Sequence, residues 1–140
     1  MIAIIRIVGM IDVDRDVAET LDRIRLRRKF ACVVVREKPE IEGVLKKVGS
    51  LVAYGKIDEA TFTELVKKRG KPLPGKKVNA EAIAKEFMES KTGKRLSELG
   101  IKDFFRLHPP RGGIESKKHY PKGVLGNHGD KINELIRRML

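Results

Sequence analysis

The sequence predicts an α+β fold, with a small β-α-β-α-β core in residues 1–57 and a mostly helical extension in residues 58–140. Up to residue 57, short apolar runs rich in β-branched residues alternate with segments of helical period, and beyond it helical periods predominate. Hydrophobic residues make up 41% of the 140-residue chain, which is enough for one modest core.

The first strand and helix of the core have clear boundaries. Residues 2–8 are almost wholly apolar and end at Gly9, as expected of a central strand. Asp14 is predicted to cap a helix, because a carboxylate can accept from free amides at a helix start. The apolar face of this helix consists of Val17, Leu21 and Ile24. Residues 31–35 are apolar and include the β-branched run Val33-Val34-Val35, which predicts a second buried strand.

The second half of the core repeats this pattern. Pro39 can open a helix and Gly49 can end it. Residues 51–56 complete a third strand. Such a unit can close a core by placing its two helices on one face of the sheet.

The extension is predicted to contain three helices, capped by Asp58, Asn79 and Asp130. Residues 104–107 are predicted as a strand that Pro109-Pro110 terminates. Residues 108–129 lack helical periodicity and predict a loop, either ordered or folding on binding. Residues 71–77 are predicted to form a rigid, basic loop. Residues 91–100 are predicted to form turns with a short helical piece.

The charge indicates the kind of partner. Thirty-one Lys and Arg against 19 Asp and Glu give a net charge of +12 and a pI near 10.0. This excess favours a polyanion, either a nucleic acid or an anionic membrane surface. The helices mix Glu with Lys on their polar faces, which disfavours the membrane. The single cysteine, Cys32, excludes an internal disulfide and a cysteine-based zinc cluster, and fits a reducing cytoplasm.

Two clusters are candidates for RNA binding. The first spans the end of the first predicted helix and the turn into the second strand, and comprises Arg23, Arg25, Arg27, Arg28 and Lys29. Arginine can contact phosphate through two parallel hydrogen bonds. The alternative is a solvated helix end, but five cations exceed the one or two that complement a helix dipole.

The second cluster lies in and after the last predicted strand. Its members are Arg106, Arg111, Gly112, Gly113, Lys117, Lys118, His119, Tyr120 and Lys122. Glycines allow backbone amides to approach a phosphate, and a tyrosine or histidine among cations can stack on a base. The alternative is a flexible surface loop.

The sequence predicts no catalytic residue, no metal ligand and no cofactor. His108, His119 and His128 have neither helical pairing nor cysteine partners nearby. Asp130 near His128 is explained more simply as a helix cap.

Several segments resemble the ribosomal protein L-thirty family of the large subunit. Leu26-Arg27-Arg28-Lys29-Phe30, the Val33-Val34-Val35 strand and residues 39–52 are similar to its short bacterial form. Residues 105–113 and 132–139 resemble the eukaryotic homologue, L-seven. Both blocks in this order are similar to the archaeal long form.

The resemblance implies a core related to ferredoxin-like folds, without enzymatic activity or cofactor. It also implies a place in the cytoplasmic large ribosomal subunit, where the chain binds large-subunit rRNA near the 5S rRNA, beside neighbouring ribosomal proteins. The positions that match the family's RNA contacts are Arg27, Arg28, Arg111, Gly112 and Gly113. Eukaryotic relatives carry a basic N-terminal arm that this sequence is expected to lack.

The sequence therefore predicts a structural, rRNA-binding constituent of the large subunit. Two rivals remain open: a free RNA-binding regulator, and an RNA-processing enzyme that uses His119 or His128.

Overall fold

A computed structural model describes residues 1–9, 11, 13–75, 79–89, 98–114, 116, 118, 120 and 122–140. The elements of the amino-terminal part are β1 (Ile2–Arg6), α1 (Arg15–Arg23), β2 (Ala31–Val35), α2 (Pro39–Val48) and β3 (Val52–Lys56). Those that follow are α3 (Glu59–Arg69), α4 (Ala80–Glu89), β4 (Phe105–Arg106), β5 (Gly126–Asn127), a 3₁₀ turn (Gly129–Lys131) and α5 (Ile132–Met139).

The five strands that the structure describes join one mixed sheet in the order β4-β2-β1-β3-β5. The apolar strand β1 is central, as predicted, and pairs antiparallel with β2 and β3. The extension adds both edges, because β4 pairs antiparallel with β2 and β5 pairs parallel with β3. The predicted α+β class is therefore confirmed, whereas β5 was not predicted.

Helices cover both faces of the sheet. Alternate residues of β1 point to opposite faces, so Ile4 packs with α1 and α2, through Leu21 and Leu45 among others. Ile5 packs on the other face, in a cluster that α3, α4 and α5 complete. Two helices on one face were predicted, and the extension supplies the layer on the other face.

The three acidic residues predicted as helix caps behave differently. The Asp58 carboxylate accepts a hydrogen bond from the Thr61 amide at 2.7 Å, which confirms that cap. Asp14 occupies the N-cap position of α1, but its side chain makes no capping hydrogen bond. The prediction for Asp130 was wrong, because Asp130 lies inside the 3₁₀ turn and Lys131 holds the N-cap position of α5.

Some predicted segments lie partly outside the described residues. These include residues 76–77 at the end of the basic loop, residues 91–97 of the predicted turns, and residues 115, 117, 119 and 121 of the predicted loop 108–129. Among the helices that the structure describes, none combines the length and the apolar character needed to cross a membrane.

The thiol of Cys32 should be unreactive in the folded protein. It lies fully buried in β2, and burial raises the pKa of its thiol to about 12. Because the thiolate is the reactive form, we expect no labelling by a thiol reagent at pH 8 in the native state. Labelling should reach completion once guanidinium unfolds the chain. Equal labelling rates in the two states would contradict the burial of this side chain.

Candidate nucleic-acid interface

The first predicted cluster forms an exposed turn between α1 and β2, here called the basic turn (residues 24–30). Arg27, Arg28 and Lys29 are exposed on it, and none forms an ion pair within the described residues. Arg23, at the end of α1, pairs with Glu19 at 3.0 Å, and Arg25 pairs with Asp103 at 3.6 Å. The turn therefore presents three cations that remain available to an external anion.

The conformation of the basic turn is fixed from both sides of the sheet. Leu26 is buried with α1 and α2, whereas Phe30 packs against the cluster on the opposite face. Arg25 and Phe30 adopt left-handed backbone conformations, with φ of 66° and 65°. Such conformations are costly for residues other than glycine and persist where packing determines them. The backbone of the residues between them is consequently held in one conformation.

Arg6 anchors the same turn from within the protein. This residue is only 1% exposed, and its guanidinium donates to the carbonyl oxygens of Leu26 at 2.7 Å, Val8 at 3.0 Å and Gly9 at 3.2 Å. Burial lowers the pKa of Arg6, and the negative charge of Asp22 opposes that shift. Arg6 thus ties the end of β1 to the residue that immediately precedes Arg27.

Strand β4 brings part of the second predicted cluster beside the basic turn. Arg106 pairs with Ala31 in the sheet, and the Leu107 amide donates to the Phe30 carbonyl at 3.0 Å. The exposed Arg106 guanidinium lies 5.7 Å from the Phe104 ring, and Lys29 Nζ lies 5.0 Å from the Phe30 ring. Two segments far apart in sequence therefore share one basic edge of the sheet.

The loop of residues 108–113 continues from this edge to the end of α5. Arg138 donates through Nε to the Arg111 carbonyl at 3.0 Å and through Nη2 to the Gly113 carbonyl at 2.7 Å. Gly112 and Gly113 have φ of 82° and 76°, a region that glycine enters without steric cost. Arg111 is exposed on this clamped turn.

The other described members of the second cluster lie in a compact loop before β5. Backbone hydrogen bonds join Val124 to Ser116 at 3.0 Å and Leu125 to Lys118 at 3.1 Å. A Cβ on Gly123 would lie 2.2 Å from the Lys118 carbonyl oxygen, so only glycine fits there. Three exposed members of the cluster belong to this loop: Lys118, Tyr120 and Lys122. Lys117 and His119 lie outside the described residues.

Tyr120 stacks on His128, a contact that the sequence did not indicate. The ring centroids lie 4.5 Å apart, and the rings are inclined by 33°. His128 is only 9% exposed and its Nε2 hydrogen-bonds the Val124 carbonyl. This histidine supports Tyr120 and the loop, which argues against a role as a free general base.

The remaining candidates for catalysis or metal binding show no such site within the described residues. His108 hydrogen-bonds the carbonyl oxygens of Pro109 and Leu140. Within the described ranges, no group of three or more His, Cys, Asp or Glu side chains could hold a metal ion.

These observations define a class: a small α+β protein with a group of exposed cations on ordered turns at one edge of a mixed sheet and along the adjoining loops. Residues 2–52 match the family described as "Ribosomal protein L30p/L7e".

Similar proteins extend this match to almost the whole chain. A protein of Archaeoglobus fulgidus named "Large ribosomal subunit protein uL30" is 39% identical over 153 residues, which cover 99% of this chain and 99% of that protein. Proteins of the same name from Pyrobaculum aerophilum and Nanoarchaeum equitans are 39% and 40% identical, with 99% of this chain and 93% and 97% of theirs covered. The chain therefore belongs to the ribosomal protein L30p/L7e family, which confirms the resemblance noted from the sequence.

Proposed function

We propose that this chain is a structural constituent of the large ribosomal subunit and binds large-subunit rRNA through its basic turn, β4 and the loops of residues 108–125. The main observation that supports this binding surface is the pairing of β2 with β4, which brings two separate basic segments together at one edge of the sheet. The relatives are named as proteins of the large ribosomal subunit, which supports a place for this chain in that subunit.

Binding through this surface depends on phosphate geometry more than on base identity. Arg27, Arg28 and Arg111 are exposed on turns whose backbone is already fixed, so binding a folded RNA backbone requires ordering of their side chains but little ordering of the turns themselves. Phosphate contacts fix position and carry little sequence information. A ribosomal protein with this surface neutralises phosphates where RNA helices approach each other.

Two finer parts of the proposal concern location. A place near the 5S rRNA rests on the resemblance to the L-thirty family alone, and neighbouring large-subunit proteins are further partners.

Membership in a ribosomal protein family confirms the prediction that the chain is not an enzyme.

Removing two phosphate contacts should change the salt dependence of rRNA binding. For Arg27→Ala/Arg28→Ala, we expect the slope of log affinity against log salt to become shallower by about 1.4–1.8, since each contact contributes roughly 0.7–0.9. Filter binding of a large-subunit rRNA fragment across a salt series measures this slope.

The control removes equal charge from another place. Lys67 and Lys68 are exposed in the last turn of α3, and Lys67→Ala/Lys68→Ala should leave the slope nearly unchanged. Equal slopes for wild type and the arginine double variant would remove the basic turn from the interface.

Co-sedimentation with large subunits after a moderate salt wash distinguishes a ribosomal constituent from a free RNA-binding regulator. A regulator would be washed off the subunits, whereas a constituent would stay bound.

A further inference from the structure

A cavity of about 350 Å³ lies between one side of α5 and the loop before β5, of which residues 113, 114, 116, 120 and 122–124 line it; it is called here the α5 cavity. The helix contributes Glu134, Leu135 and Arg138, and the loop contributes Tyr120, Lys122 and Gly123. This cavity is separate from the basic turn, since no residue of that turn lines it. Its volume is in the range of sites that hold small organic groups.

One wall of the α5 cavity is aromatic. Tyr120 is 39% exposed and is among the largest hydrophobic side chains that the described part of the chain leaves open to solvent. Its contact with His128 supports the ring from within, because His128 is itself fixed by its hydrogen bond to Val124. An exposed ring held in this way offers a stacking surface with little conformational entropy left to lose.

The other walls carry positive charge. Lys122 is exposed and has no ion pair within the described residues. Arg138 uses its Nε and one Nη2 hydrogen to clamp residues 111–113, which leaves further guanidinium donors for an anion. The Glu134 carboxylate already pairs with Lys131 at 3.5 Å, so it opposes an incoming phosphate only weakly.

The described residues of the loop that lines the cavity are joined by contacts of their own. The Tyr120 amide donates to the Leu125 carbonyl at 2.8 Å, and the Lys118 amide donates to Ser116 Oγ at 3.2 Å. The close approach of Gly123 to Lys118 completes the loop. The backbone positions of Tyr120 and Gly123 are thus fixed before any ligand binds.

We propose that the α5 cavity receives one unstacked nucleotide of a single-stranded RNA segment, with its base against Tyr120 and its phosphate near Lys122 and Arg138. The inference rests on the proposed function and adds a nucleotide site to it. Protein–RNA recognition commonly takes place at loops and bulges whose bases can leave the helix and stack on aromatic side chains. A paired helix cannot deliver a base into the cavity.

Tyrosine fluorescence can observe this site directly, because the chain has two tyrosines and no tryptophan. In the full-length Tyr54→Phe variant, Tyr120 is the only remaining tyrosine. We expect titration with a mixed-sequence single-stranded RNA hexanucleotide to quench its emission, whereas a fully paired RNA hairpin of the same composition should quench little. Equal quenching by both RNAs, or by neither, would overturn the proposal.

Substitution of Tyr120 gives a second measurement. Tyr120→Leu should weaken hexanucleotide binding about 5–150-fold, since stacking on an aromatic ring contributes roughly 1–3 kcal/mol per base. Tyr120→Phe keeps the ring and should stay within about twofold of wild type. Photocrosslinking of a 5-iodouridine hexanucleotide to wild-type protein should map to Tyr120, and this test does not depend on the folding of any variant.

The outcomes separate this inference from the proposed function. An rRNA fragment that binds with a normal salt slope, while Tyr120 is neither quenched nor crosslinked, refutes the nucleotide site alone. A protein that binds neither the rRNA fragment nor the hexanucleotide refutes both.

Discussion

Replacing Arg6 with methionine should lower the free energy of unfolding by about 2–4 kcal/mol, because a charged donor to three backbone carbonyls is lost. Methionine fills much of the same space but leaves the Leu26 carbonyl buried without its donor. Chemical denaturation measures the change. The amides of Leu26 and Phe30, which hydrogen-bond around the basic turn, should also exchange faster with solvent.

Two further variants test whether the buried guanidinium of Arg6 is responsible for this loss of stability. Arg23→Met removes an exposed arginine whose partner, Glu19, is also exposed, and should change stability by less than about 1 kcal/mol. Arg6→Lys keeps the charge but cannot reach three carbonyls at once, so most of the loss should remain. If Arg6→Met were as stable as wild type, the anchoring of the basic turn by this side chain would be wrong.

Gly55→Ala should destabilise the protein by about 3 kcal/mol, because strand β3 touches the backbone of the 3₁₀ turn at this residue. A Cβ at Gly55 would lie 2.2 Å from the Gly129 carbonyl oxygen and 2.9 Å from Ile132 Cβ. A backbone oxygen cannot rotate away, so the 3₁₀ turn and the start of α5 must shift. Thermal or urea unfolding of the variant measures this cost.

The same substitution elsewhere provides the matched control. Gly43 lies in α2, and nothing is within 4 Å of a Cβ built there. Gly43→Ala should therefore stabilise the protein by about 0.5–1 kcal/mol, since alanine favours the helix and restricts the unfolded chain. A Gly55→Ala variant that gains stability as Gly43→Ala does would show that the sheet and the 3₁₀ turn are not in contact.

The local signals in the sequence explain which parts of the fold could be predicted. Pro39 and Gly49 delimit α2 as expected, and Asp58 caps α3. Strand β5 escaped prediction because a two-residue parallel strand has no room for a periodic pattern. The Asp130 prediction was wrong because the backbone entered a 3₁₀ turn first, a choice that residue type alone does not determine.

The candidate site was predictable in its charges and not in its geometry. The sequence identified Arg27, Arg28 and Arg111 as candidate RNA contacts, but only the pairing of distant strands places Arg106 beside the turn. Two signals were present and could have been used. An arginine within an apolar strand, as at Arg6, requires buried acceptors. A glycine within a strand, as at Gly55, often marks a close backbone approach.

The two-sided burial of the sheet has a consequence for biosynthesis. Translation completes β3 before any part of the layer that covers Ile5, Cys32 and Val34 has been made. Until α3 and α5 emerge, the nascent chain carries an uncovered apolar surface, which is the kind of surface that promotes aggregation. Chaperone binding to the unfinished polypeptide is therefore expected to persist until the last helix is released and docks.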